Sequence, residues 1–109
     1  MNLLQKIKSN DPISFQEVIA YIDNNYDFTP TAFKNGNQYN ETNQNNGSCK
    51  VFSFAKLHKL NQDETLQLFG EYYKDVLNTP KAADHQNIRN FMQFGWGGIS
   101  FEKEALHLK

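Results

Sequence analysis

The stretch "SCKVFSFAKLHKL", residues 48–60, has apolar side chains on every side when it is drawn as a helix. A helix that is apolar all round is buried inside a domain and does not lie on its surface. We therefore predict a central helix over this stretch, with Ser48 as its N-cap. The apolar residues are Cys49, Val51, Phe52, Phe54, Ala55, Leu57 and Leu60.

Two helices are predicted before this stretch. Residues 2–9 have the pattern of a short amphipathic helix. Ser14 and Glu17 form an S-x-x-E capping box, which predicts the start of a second helix from about residue 15 to 25.

Two more helices are predicted after it. Asn61 and Glu64 predict the start of one long helix, which ends at the "NTP" of residues 78–80. Its apolar stripe consists of Leu66, Phe69, Tyr73, Val76 and Leu77. Asp84 is predicted to cap a last helix, which stops at Gly95.

The remaining segments predict extended chain and loop. Residues 26–33 read as one extended segment at a sheet edge, because Pro30 cannot donate to a ladder. Residues 35–48 contain six Asn and two Gly, which predicts a long loop. Residues 97–102 predict a turn and a strand that pairs with 28–33. The expected fold is a single α+β domain over 1–109, with four to five helices and a small two-stranded sheet.

Composition excludes several classes of function. The formal net charge is -1 and the pI about 6.3, so no basic excess exists for binding nucleic acid. The single cysteine excludes an internal disulfide and a thiolate zinc site, and we predict no metal and no cofactor. No apolar run reaches the roughly 20 residues that a membrane span needs.

The stretch "DHQNIRNFMQFGW", residues 84–96, concentrates polar side chains on the last predicted helix. His85 and Arg89 lie one turn apart at the edge of the apolar arc, and Asn87 lies inside it. These groups either fasten the Asn-rich loop or face a pocket for a polar or anionic ligand. The opposite face, expected in solvent, holds Gln86, Asn90 and Gln93. The predicted ligand-binding residues are Asn35, Asn45, Ser48, Arg89 and Trp96.

Cys49 has two interpretations. It lies in the first turn of the predicted central helix, where the helix dipole lowers a thiol pKa and favours the thiolate. His85 would then be the base of a Cys-His catalytic site, with Asn87 or Asp84 as the group that orients it, and His107 would lie in a frayed tail. In the other interpretation Cys49 is a small buried hydrophobe, as unpaired cysteines often are.

Four strings in this sequence resemble the HopJ type III effector family. They are "FTPTAFKNG", "NNGSCKVFSFAKLH", "ETLQLFGEYYKDVL" and "DHQNIRNFMQFGWGGISF", and the resemblance runs from about residue 13 to 101. It implies a small bacterial protein of one domain, and the family name implies secretion into a host cell. It implies no catalytic mechanism. The family's polar motif corresponds here to Asn35, Asn45, Gly47, Ser48, Cys49, Asp84, His85, Asn87 and Arg89.

We expect a small binding protein whose polar pocket forms between the Asn-rich loop and the 84–96 helix. Its partner would be a small polar ligand or another protein, with no nucleic acid and no membrane. The alternative is a hydrolase or acyl transferase that uses Cys49 and His85. Type III effectors usually begin with a flexible Ser-rich leader, whereas amphipathic pattern begins here at Leu3. A cytoplasmic protein is therefore expected, with secretion into a host cell as the alternative.

Overall fold

The structure is a computed structural model that describes residues 3–9 and 11–109. Within these residues it has six α-helices and five short strands. The helices are α1 (Leu3–Lys8), α2 (Phe15–Asn25), α3 (Asn46–Leu57), α4 (Gln62–Gln67), α5 (Glu71–Asn78) and α6 (Gln86–Phe94). The strands are β1 (Tyr26–Phe28), β2 (Phe33–Asn35), β3 (Gln38–Asn40), β4 (Ile99–Phe101) and β5 (Leu106–Leu108). The predicted helix-rich α+β class is confirmed.

The helix α3 is buried at the centre, as its all-round apolar pattern predicts. Its Phe52 ring meets the rings of Phe33, Phe69 and Phe91 at centroid distances of 6.2, 5.3 and 5.0 Å. These three rings come from β2, from the turn between α4 and α5, and from α6, so one side chain joins three parts of the core. The predicted N-cap is wrong. The helix begins at Asn46, and its N-cap is Asn45, three residues before Ser48, in the left-handed conformation at φ 55°.

The predicted helix from Asn61 to the "NTP" segment is two helices. Asn61 and Glu64 form the expected capping box of α4, but the chain turns at Gly70, whose φ is +57°. A Cβ at Gly70 would lie 2.7 Å from the backbone nitrogen of Phe15. That nitrogen donates to the Glu71 carboxylate at 2.8 Å. The helix breaks because the start of α2 passes against this turn.

The strands form two antiparallel sheets. In the three-stranded sheet β2 lies between β3 and β4, and in the other β1 pairs with β5. The strand predicted within residues 97–102 was expected to pair with residues 28–33. This holds at Phe33, which lies opposite Phe101. Residues 26–33 are not one strand, because they divide between the two sheets. The tail that was predicted to fray is strand β5, in which His107 lies opposite Asp27.

The Asn-rich segment contains a β-hairpin, so its prediction as loop is wrong for β3. Asn35 pairs with Gln38 across a two-residue turn, and Gly36 at its first position has φ +59°. A two-residue hairpin turn of type II′ has glycine at its first central position, because the backbone there needs a positive φ. The hairpin packs against α6.

The last helix, α6, ends at Gly95 as predicted, where φ is +62°. Its predicted N-cap is wrong, because His85 occupies that position with φ 51° and Asp84 lies outside the helix. No helix in the described part of the chain is long and apolar enough to cross a membrane.

Candidate functional site

A buried network of asparagine side chains joins α6 to the hairpin. Asn87 and Asn40 exchange two amide hydrogen bonds, at 3.0 and 3.2 Å. The Asn35 amide donates to the Asn87 backbone carbonyl at 2.7 Å and to its side-chain oxygen at 3.0 Å. Asn45 extends the network, because its amide donates to the Asn40 oxygen at 2.7 Å. The strands and the start of α3 are therefore tied to α6 by uncharged groups.

A second contact of the same kind lies one turn along α6. The Asn90 oxygen accepts from the backbone nitrogen of Asn37 at 3.2 Å, and its amide donates to the Gln86 carbonyl at 2.8 Å. Asn90 is only 8% exposed. The prediction that it lies on a solvated face is wrong, because the hairpin covers that side of the helix.

Beside this network lies a cleft of about 450 Å³. One side is apolar and aromatic, with Phe15, Phe69, Tyr72 and Ile88. The other side is polar and is formed by Gln38, Asn45, Gly47, Ser48, His85, Gln86 and Asn87. A volume of this order suits a small molecule, and a mixed lining of this kind is typical of ligand sites.

Two helices begin at this cleft. Residues from the first turns of both α3 and α6 line it, and neither helix has a hydrogen bond from its N-cap side chain to its first turn. The N–H groups of a first turn have no partner within their own helix, and they carry the positive end of the helix dipole. The cleft therefore faces two sets of peptide donors.

His85 lies between the cleft and two carboxylates. Its Nε2 atom is 3.9 Å from Asp75 and 3.8 Å from Asp84. Its ring lies 5.3 Å from the ring of Tyr72, and its side chain is 28% exposed. His85 is thus held by α5 and by the preceding loop, at a position that solvent and a ligand can reach.

Arg89 is occupied by the loop that precedes α6. Its guanidinium donates to the Asp84 carbonyl and carboxylate and to the Thr79 carbonyl and hydroxyl, at 2.6 to 3.2 Å. The hydrogen bond from Arg89 holds the pKa of the Asp84 carboxyl below its ordinary value. Arg89 does not line the cleft. It fastens residues 79–84 across the start of the helix.

Cys49 does not reach the cleft. Its side chain is fully buried, and the thiol donates to the Thr31 carbonyl at 3.9 Å. Burial raises the pKa of this thiol, against the expectation that the helix dipole would lower it. Within the described residues no hydrogen bond joins Cys49 to His85. The structure thus gives Cys49 the surroundings of a small core residue.

The predicted site residues therefore fall into two groups. Asn45, Ser48, His85 and Asn87 line one cleft. Asn35 lies beneath it in the amide network, and the remaining residues face elsewhere. Trp96 donates from its indole nitrogen to the Leu60 carbonyl at 3.0 Å and packs edge-on against Phe91. No group of metal-binding side chains occurs in the parts of the chain that the structure describes.

Sequence reasoning missed the aromatic side of the cleft and one asparagine. Phe15 and Tyr72 belong to different predicted helices, and nothing in their spacing shows that they meet His85. Asn40 had a usable signal, since a Gly-Asn pair at 36–37 is typical of a two-residue hairpin turn. That hairpin would have placed Asn40 opposite Phe33.

Comparison with known proteins agrees with the fold and leaves the activity open. The crystal structure of VPA0580, described as a protein of unknown function, matches with a TM-score of 0.96 and 51% sequence identity. The match covers 100% of this chain and 95% of that chain. The fold is thus that of a small α+β protein already seen in a crystal. The family model described as HopJ type III effector protein matches residues 1–106. The chain belongs to the HopJ family. Curated proteins give no match.

Proposed function

We propose that this HopJ-family protein binds a small anionic ligand in the cleft between the starts of α3 and α6. The observation that carries the proposal is the convergence of two uncapped helix N-termini on one cleft of about 450 Å³. Peptide N–H groups at a helix start bind phosphate and carboxylate groups well. Ser48 and His85 add a hydroxyl and an imidazole to the same surface.

The aromatic side of the cleft indicates the rest of the ligand. Phe15 and Tyr72 are in contact, with ring centroids 5.0 Å apart, and both line the cleft. A flat apolar group would pack against these rings while its anionic group meets the helix starts. The proposed ligand therefore combines a negatively charged group with a ring.

The asparagine network supports the proposal through preorganisation. Asn87 belongs both to the network and to the cleft lining. Because its amide is bonded to the hairpin, the start of α6 is held in place before a ligand arrives. A preformed site loses less conformational entropy on binding than a mobile one.

The alternative of a Cys-His hydrolase or acyl transferase has less support. Its nucleophile would be a thiol that is fully buried and whose pKa is raised. A thiolate is the reactive form, so both features oppose catalysis. A cytoplasmic location is part of the proposal and is supported by the single unpaired cysteine. Secretion into a host cell, which the family name implies, is the alternative to it.

Titration of the ¹⁵N-labelled protein with phenyl phosphate tests the proposal. We expect saturable shifts of the backbone amide signals of Gly47, Ser48 and Gln86. The variant Ser48→Asp introduces a carboxylate into the first turn of α3, which favours the helix but competes with the anion. It should fold normally and lose the binding.

The matched control is Ser100→Asp, which makes the same charge change on an exposed residue of β4. It should bind phenyl phosphate as the wild type does. Equal binding by the Ser48→Asp variant, or shifts that never saturate, would contradict an anion site at the helix starts.

A further inference from the structure

Among the described residues that line the cleft, His85 is the one whose side chain can gain a positive charge. The rest of the lining consists of aromatic, aliphatic, amide, hydroxyl and glycine residues. Imidazole is the side chain that ordinarily changes its charge between about pH 5 and about pH 8. The charge inside the cleft is therefore set by whether this ring holds a second proton.

Two carboxylates lie beside this ring. The Asp75 carboxylate of α5 is 3.9 Å from Nε2 of His85, and the Asp84 carboxylate of the preceding loop is 3.8 Å from it. These distances are too long for hydrogen bonds, so both carboxylates act on the ring through their charge. The other oxygen of Asp84 accepts from Arg89 at 2.8 Å, and this bond holds the pKa of the Asp84 carboxyl below its ordinary value. Asp84 therefore keeps its charge at mildly acidic pH.

The other elements around the ring present uncharged groups, as far as the structure describes them. Tyr72 of α5 places its phenol ring 5.3 Å from the imidazole. Across the cleft, α2, the hairpin and α3 contribute uncharged side chains such as those of Phe15, Gln38 and Ser48. The charged groups that face His85 or bond its partners are thus Asp75, Asp84 and Arg89. They leave one excess negative charge beside a neutral ring, and a second proton on the ring cancels it.

We propose that a proton on His85 controls anion binding in the cleft. This inference rests on the proposed function, because it concerns the same site. When the ring is neutral, the excess negative charge beside the cleft repels an anion. When the ring is protonated, that excess is cancelled and the cleft gains a cationic N–H donor. The ligand is therefore held at mildly acidic pH and released as the pH rises above the range in which imidazole titrates.

Calorimetric titration with benzenesulfonate tests the proposal. A sulfonate keeps one negative charge over this range, whereas a phosphate changes its own charge near about pH 6. We expect the affinity to be about tenfold higher at about pH 5 than at about pH 8. Titration near neutral pH in two buffers of different ionisation enthalpy should show that the protein takes up protons on binding. Benzyl alcohol, an uncharged ring of similar size, should show no such dependence.

Two variants assign the proton to its residue. His85→Asn removes the titrating ring and suits the left-handed backbone there, at φ 51°. Asn45 already occupies the equivalent position of α3 at φ 55°, without a side-chain cap bond. His85→Asn should therefore fold, bind benzenesulfonate equally at both pH values and take up no proton. Asp75→Asn removes one facing carboxylate and should move the rise in affinity to lower pH.

The matched control is His107→Asn, which makes the same change at an exposed histidine of β5 outside the cleft. It should keep the full pH dependence and the proton uptake of the wild type.

The outcomes separate this inference from the proposed function. Equal affinity of the wild type at both pH values would overturn the inference and leave the anion site in place. A pH dependence that survives in His85→Asn would overturn it as well. Absence of benzenesulfonate binding at about pH 5 also overturns it, and phenyl phosphate then decides the proposed function separately. Saturable binding of phenyl phosphate would keep the anion site, and no binding would remove it.

Discussion

Asn87 shows how one amide can join three parts of a chain. Its side-chain oxygen accepts from Asn35 and Asn40, and its nitrogen donates to Asn40. Only an amide offers a donor and an acceptor side by side in this geometry without a charge. Its place in the apolar arc of α6 is therefore explained by its partners.

The variant Asn87→Ala should lower the free energy of unfolding by about 2–4 kcal/mol, because the buried amides of Asn35 and Asn40 lose their hydrogen bonds to the Asn87 side chain. Urea denaturation followed by circular dichroism measures the change. Asn78→Ala, at an exposed position of α5, is the matched control and should stay within about 0.5 kcal/mol of the wild type. A loss at Asn87 no larger than that of the control would mean that the network does not hold α6.

Cys49 should resist alkylation in the folded protein and react after unfolding. Burial both covers the sulfur and raises its pKa, so the thiolate is scarce and unreachable. Iodoacetamide labelling followed by mass spectrometry measures the rate. In a Cys49→Ala background, Ser100→Cys provides an exposed thiol that should react at the rate of free cysteine. Comparable labelling of native Cys49 at neutral pH would restore the nucleophile interpretation.

The same burial predicts how stability depends on pH. The unfolded chain ionises at the ordinary thiol pKa, whereas the folded chain keeps its proton to higher pH. The thiol therefore contributes stability below its ordinary pKa, and the contribution is lost as the pH rises towards the raised value. The Cys49→Ala variant should lack this part of the alkaline loss, although the tyrosines will still add theirs.

At the scale of elements, Gly70 decides where one helix becomes two. The variant Gly70→Ala should lower the free energy of unfolding by roughly 2–4 kcal/mol. Its Cβ would lie 2.7 Å from one backbone atom and 2.8 Å from another, and φ is +57°. Gly97→Ala is the control, because nothing lies within 4 Å of a Cβ there. Thermal unfolding of both variants measures the difference, and equal melting temperatures would contradict this account of the break.

The helices and their ends could be predicted where residues close in sequence determine them. The all-round apolar pattern of α3, the caps at Ser14 and Asn61, and the stop at Gly95 all depend on neighbours within a few residues. The break at Gly70 depends on the passing backbone of Phe15. The left-handed caps at Asn45 and His85 likewise depend on tertiary contacts. Such contacts leave no periodicity in the sequence.

At the scale of the whole molecule, β5 returns the chain to the end of α2. Leu106 lies opposite Phe28 in the pairing with β1 and is 4% exposed, whereas Leu108 of the same strand is 76% exposed. Leu106→Ala should lower the free energy of unfolding by about 2–3 kcal/mol, and Leu108→Ala should leave it almost unchanged. Urea denaturation measures both, and similar losses would show that the two leucines are not buried differently.

Part of the cleft was predictable and part was not. His85, Asn87, Asn45 and Ser48 stood out, because polar groups on an apolar arc or at a helix start need a reason. Their aromatic neighbours come from α2, from α5 and from the turn before α5, which only the folded arrangement brings to the same place. Arg89, the chain's one arginine, stood out equally but holds a loop. Residue type indicates that a polar group has partners and leaves open which they are.

The amide network also determines how the molecule responds to ionic strength. Its four asparagines carry no charge at any ordinary pH, so added salt has no ion pair to screen there. By contrast, α1 adds the ion pairs of Lys6 with Glu17 and Lys8 with Glu64 to the packing of its buried Leu3 and Ile7. Concentrated sodium chloride should therefore weaken the two ion pairs of α1 and leave the contact between α6 and the hairpin unchanged. The asparagine network beneath the cleft would then keep its hydrogen bonds in surroundings that differ widely in salt concentration.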